Sequence, residues 1–214
     1  GKKILDSIDL KTKIPIISLY GSHKKPSSAD LENIDLVLFD LQDVGTRFYT
    51  YISTLTYVME ACAENKIPII VLDRPNPNGY FIDGPVLEKE HQSFIGLHPV
   101  PVVYGMTIGE YARMVAGECW INKASDIDLS VIPLVGWDRN MIVKLKMKPS
   151  PNLPNWQSVY LYSSLCFLEG TIMSIGRGTD FPFQVYGHPE FMIGSFIFTP
   201  DSTQLVLYPK SKVN

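Results

Sequence analysis

Short, continuous apolar runs separated by a segment of helical spacing constrain this chain more than any other feature. Residues 36–39 (Leu-Val-Leu-Phe) and 69–72 (Ile-Ile-Val-Leu) are apolar throughout and of strand length. Unbroken rather than alternating apolarity marks a strand covered on both faces. Between them, Ile52, Leu55, Val58, Met59 and Cys62 recur at helical spacing within residues 49–65. Lys66-Ile67-Pro68 then stops the helix. Strand, helix and strand in that order make a β-α-β unit, with parallel strands and a right-handed crossover.

The same reading extends to both sides. Residues 15–19 predict an earlier strand and residues 129–134 a later one. Residues 27–32, after Pro26, predict a short serine-capped helix. Thr107 followed by Glu110 fits a capping box, opening a helix through Tyr111, Met114 and Val115 to Gly117. The character changes near Gly136. Residues 147–156 carry Pro149, Pro151 and Pro154 and predict an irregular loop. Beyond it, residues 159–168 predict a helix, Gly176-Arg177-Gly178 a turn, and residues 196–198 and 205–207 strands. The expectation is an α/β protein, its mostly parallel sheet flanked by helices in residues 1–136, with a smaller α+β module in residues 137–214.

Composition narrows the function classes. Of 214 residues 45% are hydrophobic and 19% charged, which suits a globular chain. The net charge of −3 and scattered basic residues argue against nucleic acid, whose backbone calls for clustered Lys and Arg. The one basic cluster, Lys144, Lys146 and Lys148, reads as a solvated loop. No apolar stretch approaches the ~18 residues of a membrane span, and none reads as a signal peptide. Cys62, Cys119 and Cys166 are far apart and lack metal-type spacing, so buried free thiols are expected.

Chemistry-bearing residues gather after the strands, where parallel sheets bind ligands. Asp40, Gln42, Asp43, Arg47, Tyr49 and Tyr51 crowd the first strand-to-helix turn. In the functional reading they hold a polar ligand. In a structural one Asp43 caps the helix and Arg47 pairs with it. Asp73, Arg74, Asn76 and Asn78 follow the next strand in a loop stiffened by Pro75 and Pro77. Glu169, Arg177 and Asp180 form a third group, where glycines let a backbone approach a ligand closely. His98, in a loop between Gly96 and Pro99, is a further ligand-contact candidate. The four histidines are isolated in sequence and form no helical metal pair. Dinucleotide, phosphate-loop and Gly-x-Ser-x-Gly motifs are all missing from the sequence.

The strings FDLQDVGTRFYTYISTL, VLDRPNPNGYFIDGPVLE, GLHPVPVVYGMTIGEYARM, PSPNLPN and FLEGTIMSIGRGTDFPF, in this order, resemble the NamZ-type exo-β-N-acetylmuramidases. The match runs over residues 16–189, and several of its motifs are long and unusual. The resemblance implies a Rossmann-like domain with a smaller C-terminal one, and an extracytoplasmic bacterial glycosidase needing no cofactor. Its partners would be peptidoglycan-derived saccharides or muropeptides, from whose non-reducing ends it removes N-acetylmuramic acid. It also implies a glutamate in a Pro-Glu-His-Gly-like segment as the favoured acid/base. This sequence has no such segment, which is expected upstream of Gly1.

Glycoside hydrolysis ordinarily uses two carboxyl groups. Within this chain the catalytic candidates are Asp43, Asp73 and Glu169, in that order, unless the sugar's acetamido group attacks and a carboxylate orients it. Muramic acid carries a lactyl carboxylate that an arginine fork would hold, which points to Arg47, Arg74 or Arg177. Tyr49 or Tyr51 would stack on the sugar ring. The competing class is a non-catalytic muropeptide-binding module using the same cleft.

Overall fold

The computed structural model describes residues 5–191 and 194–201. The chain divides into two units, one within Lys3–Met141 and one within Ile142–Asn214.

The first unit opens with β1 (Ser7–Ile8) and β2 (Pro15–Ile16), paired antiparallel. It continues through β3 (Val37–Phe39), α1 (Tyr51–Asn65), β4 (Ile69–Leu72), α2 (Ile108–Gly117) and β5 (Leu129–Ile132). Strands β3, β4 and β5 form a parallel sheet in that order, with Phe39 opposite Val71 and Leu72 opposite Ile132. The β-α-β unit lies where the apolar runs place it, and a second one follows it.

Both helices serve one core. Phe39, Ile69 and Val71 of the sheet pack with Ile52, Leu55, Met59 and Cys62 of α1 and with Tyr111, Ala112 and Val115 of α2. Burying each large aliphatic side chain here contributes about 1.5–3 kcal/mol. The opposite face of the sheet differs from the sequence expectation. Leu38 is 59% and Ile132 53% exposed, so among the described residues the strands are buried on one face. The reason is topological: strands added consecutively in one direction by same-handed crossovers place every crossover helix on the same side.

Helix ends follow local chemistry. Thr107 and Glu110 form the expected capping box on α2. Helix α1 ends where Lys66 turns left-handed (φ 56°) and the Ile67 amide donates to the Cys62 carbonyl at 3.0 Å.

Two local expectations give way to turn chemistry. Residues 15–19 do not join the parallel sheet. A turn holds β2 against β1 instead, the Asp9 carboxylate taking the Thr12 amide at 2.8 Å and Lys13 adopting φ 63°. Residues 27–32 make successive turns rather than a helix. The Asp30 carboxylate takes the Ser27 amide at 2.7 Å, and Asn33 sits at φ 62°, so side-chain bonds compete with the helical ladder. Cys62 and Cys166 are buried as expected, but Cys119 is exposed, because the chain there leaves α2 in a left-handed conformation (φ 53°).

The second unit contains α3 (Trp156–Leu165), opened by an Asn155–Ser158 capping box, and a 3₁₀ turn over Cys166–Gly170. Its extended structure among the described residues consists of isolated bridges, such as Ser174 with Gly187. Residues 196–198 form no strand, and residues 205–207 lie outside the described residues. No described helix is long and apolar enough to cross a membrane.

Candidate functional site

The carboxyl ends of β3 and β4 bring Asp40 and Arg74 together. Both lie one or two residues past their strands, and the parallel register sets those ends side by side. The guanidinium donates to Asp40 Oδ1 from Nε and Nη2, each at 2.6 Å. This pair is open to solvent, with side chains 46% and 40% exposed. The Arg74 bond holds the Asp40 carboxyl below the usual range, so it is an anion at neutral pH.

Behind the pair, the loops after β3 and β4 are knitted together. Gln42 donates to the carbonyls of Asp43 and Pro75 at 2.7 and 2.8 Å. Asn78 donates to the Val44 carbonyl at 2.9 Å, and Asn76 to the Met106 carbonyl at 2.8 Å. Asn76 Oδ1 accepts the Asn78 amide at 2.8 Å. Gly45 sits at φ 77°, and a Cβ there would lie 2.0 Å from Asn76 Oδ1, so this crossing requires glycine. Asn76 and Asn78 are buried, and their amides build the loops beneath the exposed pair.

Asp43 is also buried. Its Oδ2 accepts the Gly45 amide at 2.7 Å and the Tyr104 hydroxyl, while Oδ1 has no hydrogen-bond partner. Burial pushes this carboxyl up to about 6, against the Tyr104 and Gly45 bonds that pull it down. It does not cap α1, whose N-cap is Thr50 without a side-chain bond. Arg47 does not pair with it. The buried Arg47 guanidinium donates from Nη1 to the Val100 carbonyl at 2.7 Å, and its amide reaches Val102 at 2.8 Å. Tyr49 and Tyr51 meet edge to face, centroids 5.0 Å apart. Burial raises the Tyr49 phenol, with help from Tyr51 and Asp43.

Asp73 is committed to α2. Its Oδ1 accepts the amides of Arg74 and Gly109 at 2.9 and 2.8 Å, and Oδ2 accepts the Thr107 hydroxyl at 2.8 Å. A Cβ on Gly109 would stand 2.7 Å from Asp73 Cγ, so the missing side chain admits the carboxylate. His98 lies elsewhere. It is buried, bonded through Nε2 to Thr56 Oγ1 at 3.1 Å and stacked on Trp120 at 4.6 Å. Burial lowers it to about 4, so its ring is neutral.

In the second unit Glu169 accepts from Arg177 and from Tyr162. Burial raises its carboxyl despite both partners. Arg177 and Asp180 line a cavity of about 550 Å³ with Asn152, Phe181 and Phe198. Gly176 and Gly178 hold positive φ of 75° and 83°, as the predicted turn requires. The only described group with metal-ligand spacing is Glu88, Glu90 and His91, all exposed. Sequence reasoning missed Tyr104 and Tyr162. Tyr104 lies 61 residues from Asp43 within an apolar stretch, so no local pattern marks it.

Comparison with known proteins adds identity to this geometry. Residues 1–157 match the family described as Exo-beta-N-acetylmuramidase NamZ, N-terminal, and residues 160–200 its C-terminal counterpart. The chain is 48% identical over 194 residues to the peptidoglycan beta-N-acetylmuramidase NamZ of Bacillus subtilis (strain 168), covering 88% of this chain and 46% of that protein. Crystal structures of two DUF1343 family proteins from Bacteroides fragilis NCTC 9343 superpose on it. One has a TM-score of 0.86 at 48% identity, covering 92% of this chain and 54% of the other. The second has a TM-score of 0.79 at 40% identity, covering 84% and 48%. The chain thus spans about half the length of these relatives.

Proposed function

We infer the function from one fact: this chain belongs to the NamZ family of exo-β-N-acetylmuramidases. We propose that the whole protein is a glycoside hydrolase releasing terminal N-acetylmuramic acid from the non-reducing ends of peptidoglycan fragments. The 48% identity to a peptidoglycan muramidase over 88% of the chain carries this reading. A peptidoglycan substrate also favours an extracytoplasmic location.

Each unit offers candidates of its own. Asp40 and Arg74 stand exposed at the strand ends and suit direct contact with the sugar. Arg74 has a half-exposed fork that can exchange Asp40 for the lactyl carboxylate. The Arg47 guanidinium is buried on a backbone carbonyl and suits support. Among the three candidate carboxyls Glu169 fits proton transfer best. It is partly accessible, raised by burial and oriented by two donors, the condition in which a carboxyl keeps its proton for a leaving group. Asp73 is held by α2, and Asp43 lies under the loop. The second carboxyl of the reaction belongs to a residue outside this chain or gives way to the substrate's acetamido group.

Hydrolysis of a chromogenic β-N-acetylmuramide beside the matching N-acetylglucosaminide by the full-length protein tests the proposal. Release from the muramide alone supports it. Binding of a muropeptide with release from neither would make the protein a binding module.

A further inference from the structure

His98, Trp120 and Tyr57 have no part in the site at the strand ends, yet they wall a cavity of about 480 Å³ on the flank of the first unit. That volume falls among those of small-ligand pockets. The His98 ring stacks on Trp120 at 4.6 Å with 17° between planes, and Tyr57 stacks on Phe94 at 5.9 Å with 15°. Thr56 fixes the His98 ring through its hydroxyl, so the aromatic wall is held in place before any ligand arrives. Lys89 and Gln92 stand exposed at the rim. Glu60, also in the lining, shares Lys25 with Glu64, each pair at 2.8 Å, and accepts the Asn122 amide at 3.0 Å.

Topology sets this cavity apart from Asp40 and Arg74. Helix α1 runs from the carboxyl end of β3 toward the amino end of β4, so Tyr57 and Glu60 lie two to three turns away from the strand ends. Trp120 follows the C-terminus of α2, on the side where the chain returns to the amino end of β5.

We propose that this cavity is a second saccharide site that holds a stretch of glycan chain remote from the sugar being released. Fixed ring faces suit the apolar faces of pyranose rings, and a few rim donors suit their hydroxyl and acetamido groups. One lysine between Glu60 and Glu64 leaves a net negative charge beside the lining, which fits the neutral N-acetylglucosamine residues of the chain better than an anion. The proposal rests on the glycosidase reading for its biological sense, but its physical content is a binding site that is tested separately.

The test uses the full-length protein with chitotetraose as the soluble probe and insoluble peptidoglycan in a sedimentation assay. Wild type should bind both. Trp120→Ala should weaken chitotetraose binding at least ~tenfold, as expected for a lost stacking contact of about 1.4 kcal/mol, and reduce sedimentation. Hydrolysis of the small chromogenic muramide should stay unchanged. Since Trp120 also packs against the core, the rim double variant Lys89→Ala with Gln92→Ala provides an independent arm and should weaken both forms of binding. No chitotetraose binding by wild type, or equal binding by wild type and a folded variant, would overturn the proposal. Variant-sensitive binding without muramide hydrolysis would instead remove the glycosidase reading and leave this site standing.

Discussion

Asp43→Asn isolates the energetic consequence of burying a carboxyl under the loop after β3. In the folded protein the Asp43 carboxyl is pushed up to about 6 from 3.8. A raised acid stabilises the fold fully below the unfolded value, and that advantage is lost as pH rises through the folded one. The difference of about 2.2 pH units corresponds to about 3 kcal/mol. Wild type should therefore lose about 3 kcal/mol relative to a non-titrating residue between about pH 4 and pH 7. The asparagine keeps an oxygen for Tyr104 and Gly45 but places its NH₂ where Oδ1 has no partner, at a pH-independent cost of about 1–3 kcal/mol. The pH dependence of the difference is the readout. Urea unfolding of both proteins across this range should show the variant gaining on wild type as pH rises. Tyr104→Phe removes a bond that favours the carboxylate and should widen the wild-type loss. Parallel stability curves for Asp43→Asn and wild type would refute the reasoning.

Other consequences are open to direct measurement. Arg74→Ala should cost about 2–4 kcal/mol in kcat/KM on muramic substrates and much less on substrates lacking the lactyl group; equal losses would sink the clamp. Glu169→Gln should abolish the alkaline limb of the pH–rate profile that a proton-donating carboxyl sets, and an unchanged limb would assign proton donation elsewhere. Gly109→Ala should destabilise by about 1–3 kcal/mol through overpacking, because its Cβ would meet Asp73 and Val131 within 2.7 Å; thermal melting reads this. Thr107→Ala removes both the α2 cap and a bond to Asp73, and should lower stability by about 1–2 kcal/mol.

The parallel sheet and its helices were legible because their signals are local. Apolar runs of four residues, helical spacing in α1 and the Thr107–Glu110 box each specify an element without reference to distant residues. The open face of the sheet was not legible, since Leu38 and Ile132 look like core residues until the positions of the helices are known. The site was legible in part. Asp40 and Arg74 were placed together by strand order alone. The burial of Arg47 and Asp43 depends on Val100 and Tyr104, more than fifty residues away. His98 had a contact signal but no positional one, and its neighbours on α1 and beyond α2 put it on the flank.

Asp73 makes the protein its own occupant at a place where many α/β sheets receive anions. The first turn of a helix presents free amides and a partial positive charge. In α2 that turn is filled from within, the carboxylate lying on the Gly109 amide and the Thr107 hydroxyl while Glu110 takes the Thr107 amide. A phosphorylated sugar or a nucleotide arriving there would meet a fixed negative charge where it needs donors. The donors at the start of α2 are thereby spent within the chain, on Asp73 and Glu110, before any ligand arrives.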